Sequence, residues 1–136
     1  MKIFICTSKH NYDKISIVKE ELEKRGHTVT LPNSYDEPMK EEEIKKIGPK
    51  EHQQWKSSMI QLQKEKVEAN DAILVLNFEK NNSSNYIGGA TFLEIFRAFD
   101  AKKKIFLFNP IPDGILRDEI VGMNPTIIGG DLSRII

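Results

Sequence analysis

The chain has 136 residues, a length that suits one domain around one core. Its 20 basic and 20 acidic residues cancel to zero net charge, which argues against a broad footprint on a nucleic-acid polymer. One cysteine, Cys6, excludes an internal disulfide, and no apolar run reaches membrane-spanning length or that of a signal peptide. A globular cytoplasmic protein without a membrane partner is therefore expected.

Residues 3–6 are a short apolar run that reads as a central strand with Cys6 as a buried thiol. A polar loop follows over residues 7–13. Ile15, Val18 and Leu22 recur at helical spacing, and Gly26 closes that helix. Residues 27–31 read as a second strand, so strand, helix and strand fit one parallel crossover. Prolines and a charge run break the pattern over residues 32–49, a surface excursion with a short helix. Residues 51–69 form a long helix with a modest stripe of Trp55, Met59 and Leu62, suited to a lid, a subunit contact or plain surface packing.

The third strand spans residues 72–78, a loop spans 79–87, and an amphipathic helix runs from about Ala90 to Lys102. Residues 104–108 are the fourth strand, ending in the stiff turn Asn109-Pro110-Ile111-Pro112. A short helix over residues 115–123, a short strand over 126–128 and a last helical piece complete residues 1–136 as a single domain. The alternation predicts a three-layer, Rossmann-like (flavodoxin-like) α/β fold, with about five mostly parallel strands and helices on both faces. Right-handed crossovers place the loops after strands one, three and four along one edge. The loops over residues 7–13 and 79–89, with Asn109, should then face one crevice.

Within that crevice Glu94 is the main candidate. The stripe Phe92, Ile95, Phe96 and Phe99 predicts that Glu94 points away from the core. Two roles follow. Thr91 and Glu94 fit a capping box, with Arg97 in reach for a surface ion pair. Alternatively, a carboxylate beside a sugar can attack the anomeric carbon and divide one hard step into two. Gly88 and Gly89 allow close approach, and the first amides of the helix suit an anion. Ser8, Lys9 and Tyr12 offer a hydroxyl, an ammonium and a phenol for phosphate or sugar, with Asn85 and Asn109 as further polar contacts; an ordinary polar loop is the plain alternative. His10, His27 and His52 lie in separate elements without ligand spacing, so no metal is expected. No glycine-rich dinucleotide motif or phosphate-loop lysine motif occurs, and no organic cofactor is expected.

The order of elements resembles the nucleoside 2-deoxyribosyltransferase superfamily, which includes the 2′-deoxynucleoside 5′-monophosphate N-hydrolases. The resemblance rests on the short first strand and its polar loop, on Asn70-Asp71-Ala72-Ile73-Leu74-Val75-Leu76, on the glycine-containing loop before a helix with Glu94, and on Lys103-Lys104-Ile105-Phe106-Leu107. It implies Glu94 as the nucleophile toward the sugar and Tyr12 and Ser8 as sugar or phosphate contacts. It also implies a homodimer or higher homo-oligomer. Three positions differ from the family's transferases: Gly88 and Gln63 stand near places where aspartates are common, and Phe96 replaces a small residue. The monophosphate hydrolases lack the first aspartate too, so hydrolysis is easier to reconcile than transfer. The expected function is cleavage or transfer at the N-glycosidic bond of a (deoxy)nucleoside or its 5′-monophosphate. The alternatives are a nucleotide-binding sensor or accessory protein on the same fold, and a scaffold with no small-molecule site.

Overall fold

The computed structural model describes residues 1–136. Its strands are β1 (Lys2–Cys6), β2 (Thr28–Thr30), β3 (Ala72–Val75), β4 (Lys104–Leu107) and β5 (Thr126–Ile127). Its helices are α1 (Ile15–Lys24), α2 (Lys40–Ile47), α3 (Pro49–Ala69), α4 (Gly89–Asp100) and α5 (Arg117–Gly122). Single 3-10 turns occupy Lys9–Lys14 and Leu132–Arg134. The first of these replaces the irregular loop expected over residues 7–13. Ser8 caps it, its side chain accepting from the His10 amide at 3.4 Å.

The sheet order is β2-β1-β3-β4-β5, and every pairing is parallel. The chain winds outward from β1 in both directions, so the order reverses between β1 and β3. That reversal opens a crevice at the carboxyl ends of the two strands, where ligands bind in folds wound this way. Except for β1, the strands are shorter than the runs that predict them. Beyond β3 the ladder continues only through the Leu76 amide, which donates to the Cys6 carbonyl at 2.9 Å.

Side-chain alternation divides the core into two layers. Phe4, Cys6, Ile73, Val75, Ile105 and Leu107 face Val67 of α3, Ile95 and Ala98 of α4, and Ile120 of α5. Ile3, Ile5, Ala72, Leu74 and Phe106 face Ile15, Val18 and Leu22 of α1, with Ile128 and Ile135 beside them. Each fully buried aliphatic side chain of this kind contributes about 1.5–3 kcal/mol. The alternation has a local consequence: Cys6, last in β1, must point toward α3 and α4. At the end of α1, Gly26 takes a left-handed φ of +89°, and the His27 amide donates back to the Leu22 carbonyl at 3.0 Å. No helix is long and apolar enough to cross a membrane.

At the carboxyl ends of β3 and β4, two asparagines clasp the strands together. The Asn77 amide group donates to the carbonyls of Asn109 (2.9 Å) and Pro110 (3.0 Å). The Asn109 backbone amide donates to the Asn77 side-chain oxygen at 2.8 Å, and the Asn109 side chain donates to the Asn77 carbonyl at 3.1 Å. Asn77 is fully buried, so its removal strands several polar groups. Asn77→Ala should lower unfolding free energy by about 1–3 kcal/mol in urea titration, with the slope unchanged. An unaltered midpoint would show that the clasp carries no stability.

Candidate active site

The crevice between the carboxyl ends of β1 and β3 has a volume of about 270 Å³. The segment after β1 supplies Thr7, Ser8, Lys9 and Tyr12; α3 supplies Trp55, Lys56, Met59 and Gln63; the start of α4 supplies Gly88, Gly89, Thr91 and Glu94. A larger hollow of about 880 Å³ lies at the opposite edge, near the amino ends of β4 and β5. Lys102, Lys103, Lys104 and Arg134 line it together with apolar side chains, and no acid does. The smaller crevice, by contrast, is lined by two carboxyls, Glu41 and Glu94.

Glu94 is 6% exposed, which overturns its expected outward orientation. The inward residues of α4 are Thr91, Glu94, Ile95 and Ala98, which recur at i, i+3, i+4 and i+7 along one helix face. Phe96 and Phe99 remain half-exposed. The helix is rotated relative to its most apolar stripe, and small Ala98 meets the sheet layer instead of a phenylalanine. The capping box is absent as well. α4 begins at Gly89, its cap is Gly88 without a side-chain bond, and Thr91 already lies in the first turn. No ion pair joins Glu94 to Arg97.

Burial in this wall pushes the Glu94 carboxyl from its ordinary 4.5 up to about 8. The Cys6 thiol, the Gln63 amide and the Lys66 ammonium favour the ionised form, but loss of water outweighs them. The Cys6 thiol is itself raised, first by burial and then by the charge of Glu94. Tyr12 is half-buried, with its ring 5.8 Å from that of Tyr35. Burial and the charge of Glu94 push its phenol up to about 12, so it stays a hydrogen-bond donor at neutral pH.

At the mouth, Lys9 pairs with Glu42 and ties the turn after β1 to α2. Glu41 accepts from His52 at 2.9 Å and lies 3.2 Å from the Lys56 ammonium, joining α2 to α3. Burial alone would raise Glu41, but His52 and Lys56 outweigh it and hold its carboxyl low. Lys80 sits over the Tyr86 ring at 4.8 Å. A Cβ at Gly88 would stand 3.2 Å from the Tyr86 hydroxyl, so Tyr86 occupies the space that a side chain at 88 would need. Nothing lies within 4 Å of a Cβ at Gly89. The amides of Gly89, Ala90 and Thr91 open α4, and the first backbone bond of that turn runs from Phe92 to Gly88. They form one wall of the crevice as free donors.

Ser8, Lys9, Tyr12, Gly88, Gly89 and Glu94 are thus brought together as the sequence predicts. Asn85 and Asn109 are not among the lining residues. Asn85 takes a left-handed φ of +58° in the loop before α4, and Asn109 is spent on the clasp with Asn77. Sequence reasoning missed Thr7, Lys56, Lys66 and the floor position of Cys6. Thr7 donates to the Leu76 carbonyl at 2.7 Å and so fixes the end of β1. The signal on α3 was the stripe Trp55 and Met59, which continues at helical spacing through Gln63 and Lys66. No group of three His, Cys, Asp or Glu side chains is arranged to hold a metal ion.

This is a parallel α/β fold with a buried acid at its topological switch. No family model matches the chain, and no curated protein matches it. Its fold is similar to the solved structure of the CMP N-glycosidase BcmB from Clostridium botulinum. The two are 14% identical, with a TM-score of 0.58 over 94% of this chain and 88% of that one. The likeness shows a common fold across nearly the whole length of both.

The raised carboxyl has a measurable effect on stability. With a folded pKa near 8 and an ordinary value of 4.5, the folded state holds the extra proton between those limits. The stability linked to it is complete below pH 4.5 and is lost as pH rises toward 8, at up to about 1.4 kcal/mol per pH unit. Glu94→Gln has no such dependence, so its melting temperature relative to wild type should rise steadily from pH 5 to pH 8. A difference independent of pH would show that Glu94 ionises normally.

Proposed function

We propose that this protein cleaves the N-glycosidic bond of a nucleoside 5′-monophosphate, with Glu94 as the nucleophile. The observation that carries this reading is a carboxyl at the wall of a crevice of about 270 Å³, buried beside a protonated phenol and a helix start with free amides. The fold shared with a CMP N-glycosidase supports it. In the reaction, ionised Glu94 forms a bond to C1′ while the C1′–N bond breaks, and the base departs with its bonding pair and takes up a proton. Water then attacks C1′ and releases the sugar phosphate and Glu94. Tyr12 donates to a sugar oxygen or to the resting carboxylate. Ser8, Lys9 and the amides of Gly89, Ala90 and Thr91 take the phosphate.

Hydrolysis is favoured over transfer by Gly88. The position has no acid, and the Tyr86 hydroxyl fills the space one would need. A second reading, nucleotide binding without turnover, is favoured by one fact: burial keeps Glu94 protonated near neutral pH. The two separate by pH. A nucleophilic Glu94 makes kcat/KM rise with pH and level off above about 8.

Incubation with CMP, dCMP and the other nucleoside monophosphates, followed by chromatography, should release free base from at least one. Glu94→Gln should lower that rate at least about 10³-fold, as loss of a covalent nucleophile does. Ligand-dependent thermal stabilisation with no free base would establish the binding reading instead. Equal release by Glu94→Gln would remove Glu94 from the chemistry.

A further inference from the structure

Lys66 lies on the inner side of α3, one turn beyond Gln63, which lines the crevice. The Gln63 side chain donates to the Ala90 carbonyl at 3.2 Å and ties α3 to the start of α4. The Lys66 ammonium donates to the Leu31 carbonyl at 2.9 Å and sits 5.8 Å from the centre of the Phe4 ring. Phe4 is fully buried and shares its face of β1 with Cys6. A lysine in such a place normally has an acid against it, because a half-buried ammonium without one is costly. Lys66 has no carboxylate within 4.0 Å. The charges that act on it are Glu94 from α4, the Cys6 thiol from β1 and, more weakly, Asp36 from the loop after β2. On α4, Glu94 lies one turn beyond Ala90 as Lys66 lies one turn beyond Gln63 on α3, so Cys6, Gln63, Lys66 and Tyr12 form one set with Glu94 at the end of β1. Lys66 is the only cation of that set.

We infer that Lys66 is a positioning residue that keeps Glu94 ionisable, by holding a fixed positive charge over Phe4 on the helix that packs beside α4. The inference rests on the nucleophilic role of Glu94. In the balance at Glu94 the hydrogen bonds from Cys6 and Gln63 come first and Lys66 after them, but Lys66 alone acts through a full charge, which reaches over longer distances in a site screened from water. The carbonyl of Leu31 and the face of Phe4 fix the ammonium without neutralising it. Substrate then meets a carboxylate whose counter-charge already belongs to the protein, so its own phosphate need not leave the cations at the mouth. The link is reciprocal: Glu94 favours the charged form of Lys66, whose ammonium burial would otherwise lower further.

The test follows the Glu94 carboxyl directly by ¹³C NMR in protein labelled at glutamate side chains, with Glu94→Gln used to assign the signal. In Lys66→Met the titration midpoint of Glu94 should move up by about one pH unit or more, and in Lys66→Arg it should stay close to wild type. If base release is detected, its pH profile in Lys66→Met should move by the same amount, with kcat at pH 7 down about tenfold and KM little changed. An unmoved midpoint in Lys66→Met overturns the inference. Should Lys66→Met fail to fold, the reciprocal measurement replaces it: Glu94→Gln must lower the Lys66 amine titration followed by ¹⁵N NMR, and an unchanged amine overturns the inference. A protein that releases no base contradicts the proposed reaction, while the carboxyl and amine titrations still decide the role of Lys66.

Discussion

The structure turns on the burial of one carboxyl. Glu94 stands where β1 and β3 part, on a helix whose other inward residues are Thr91, Ile95 and Ala98. A carboxyl in that place is a cost to the fold, and the cost grows as the pH rises. The groups gathered around it act against that cost. Cys6 arrives because β1 alternates faces, Gln63 and Lys66 because α3 lies across the same layer, and Tyr12 because the chain turns tightly after Thr7. Cys6 packs in the core layer with Phe4 and Val67, and Tyr12 packs beside Tyr35, but Cys6, Gln63 and Lys66 also act on the carboxyl. Together they favour a charge that the fold alone would suppress.

The rest of the crevice divides by chemistry. Its lining includes the nearly buried acid Glu94 and the phenol Tyr12, with the thiol of Cys6 in the core behind them. Its mouth carries the ammonium groups of Lys9, Lys56 and Lys80 with the free amides that open α4. The ion pairs between Lys9 and Glu42 and among Glu41, His52 and Lys56 join the crevice walls to α2. They are partly exposed and individually weak, so their value is in fixing where the mouth lies.

The layered fold was legible in the sequence because each strand reads as an apolar run and each helix has a period. Parallel direction and the meeting of the loops after β1 and β3 follow from alternation and right-handed crossovers, whereas the strand order β2-β1-β3-β4-β5 comes from the structure. The orientation of α4 was not legible by the same rule. Phe92, Ile95, Phe96 and Phe99 form its most apolar stripe, yet Thr91 and Glu94 face inward and Phe96 and Phe99 stay half in water. Hydrophobic patterning fails at that helix because polar Thr91 and Glu94 take inward places that a core would give to apolar side chains. Asn109 failed for the opposite reason: a polar residue at the correct edge of the sheet serves the strand clasp. Lys66 was hidden because a lysine on a polar helix reads as surface until the Phe4 ring beneath it is seen.

The account stands or falls on whether Glu94 bonds covalently to the sugar. A 2′-deoxy-2′-fluoro nucleoside monophosphate slows both formation and hydrolysis of such a bond, since fluorine disfavours positive charge at C1′. Wild-type protein mixed with this analogue, quenched in acid and digested, can be mapped by peptide mass spectrometry. The account predicts one added fluoro-sugar phosphate on the peptide containing Glu94, with loss of the free base. Release of base with no adduct, or an adduct on another residue, contradicts it.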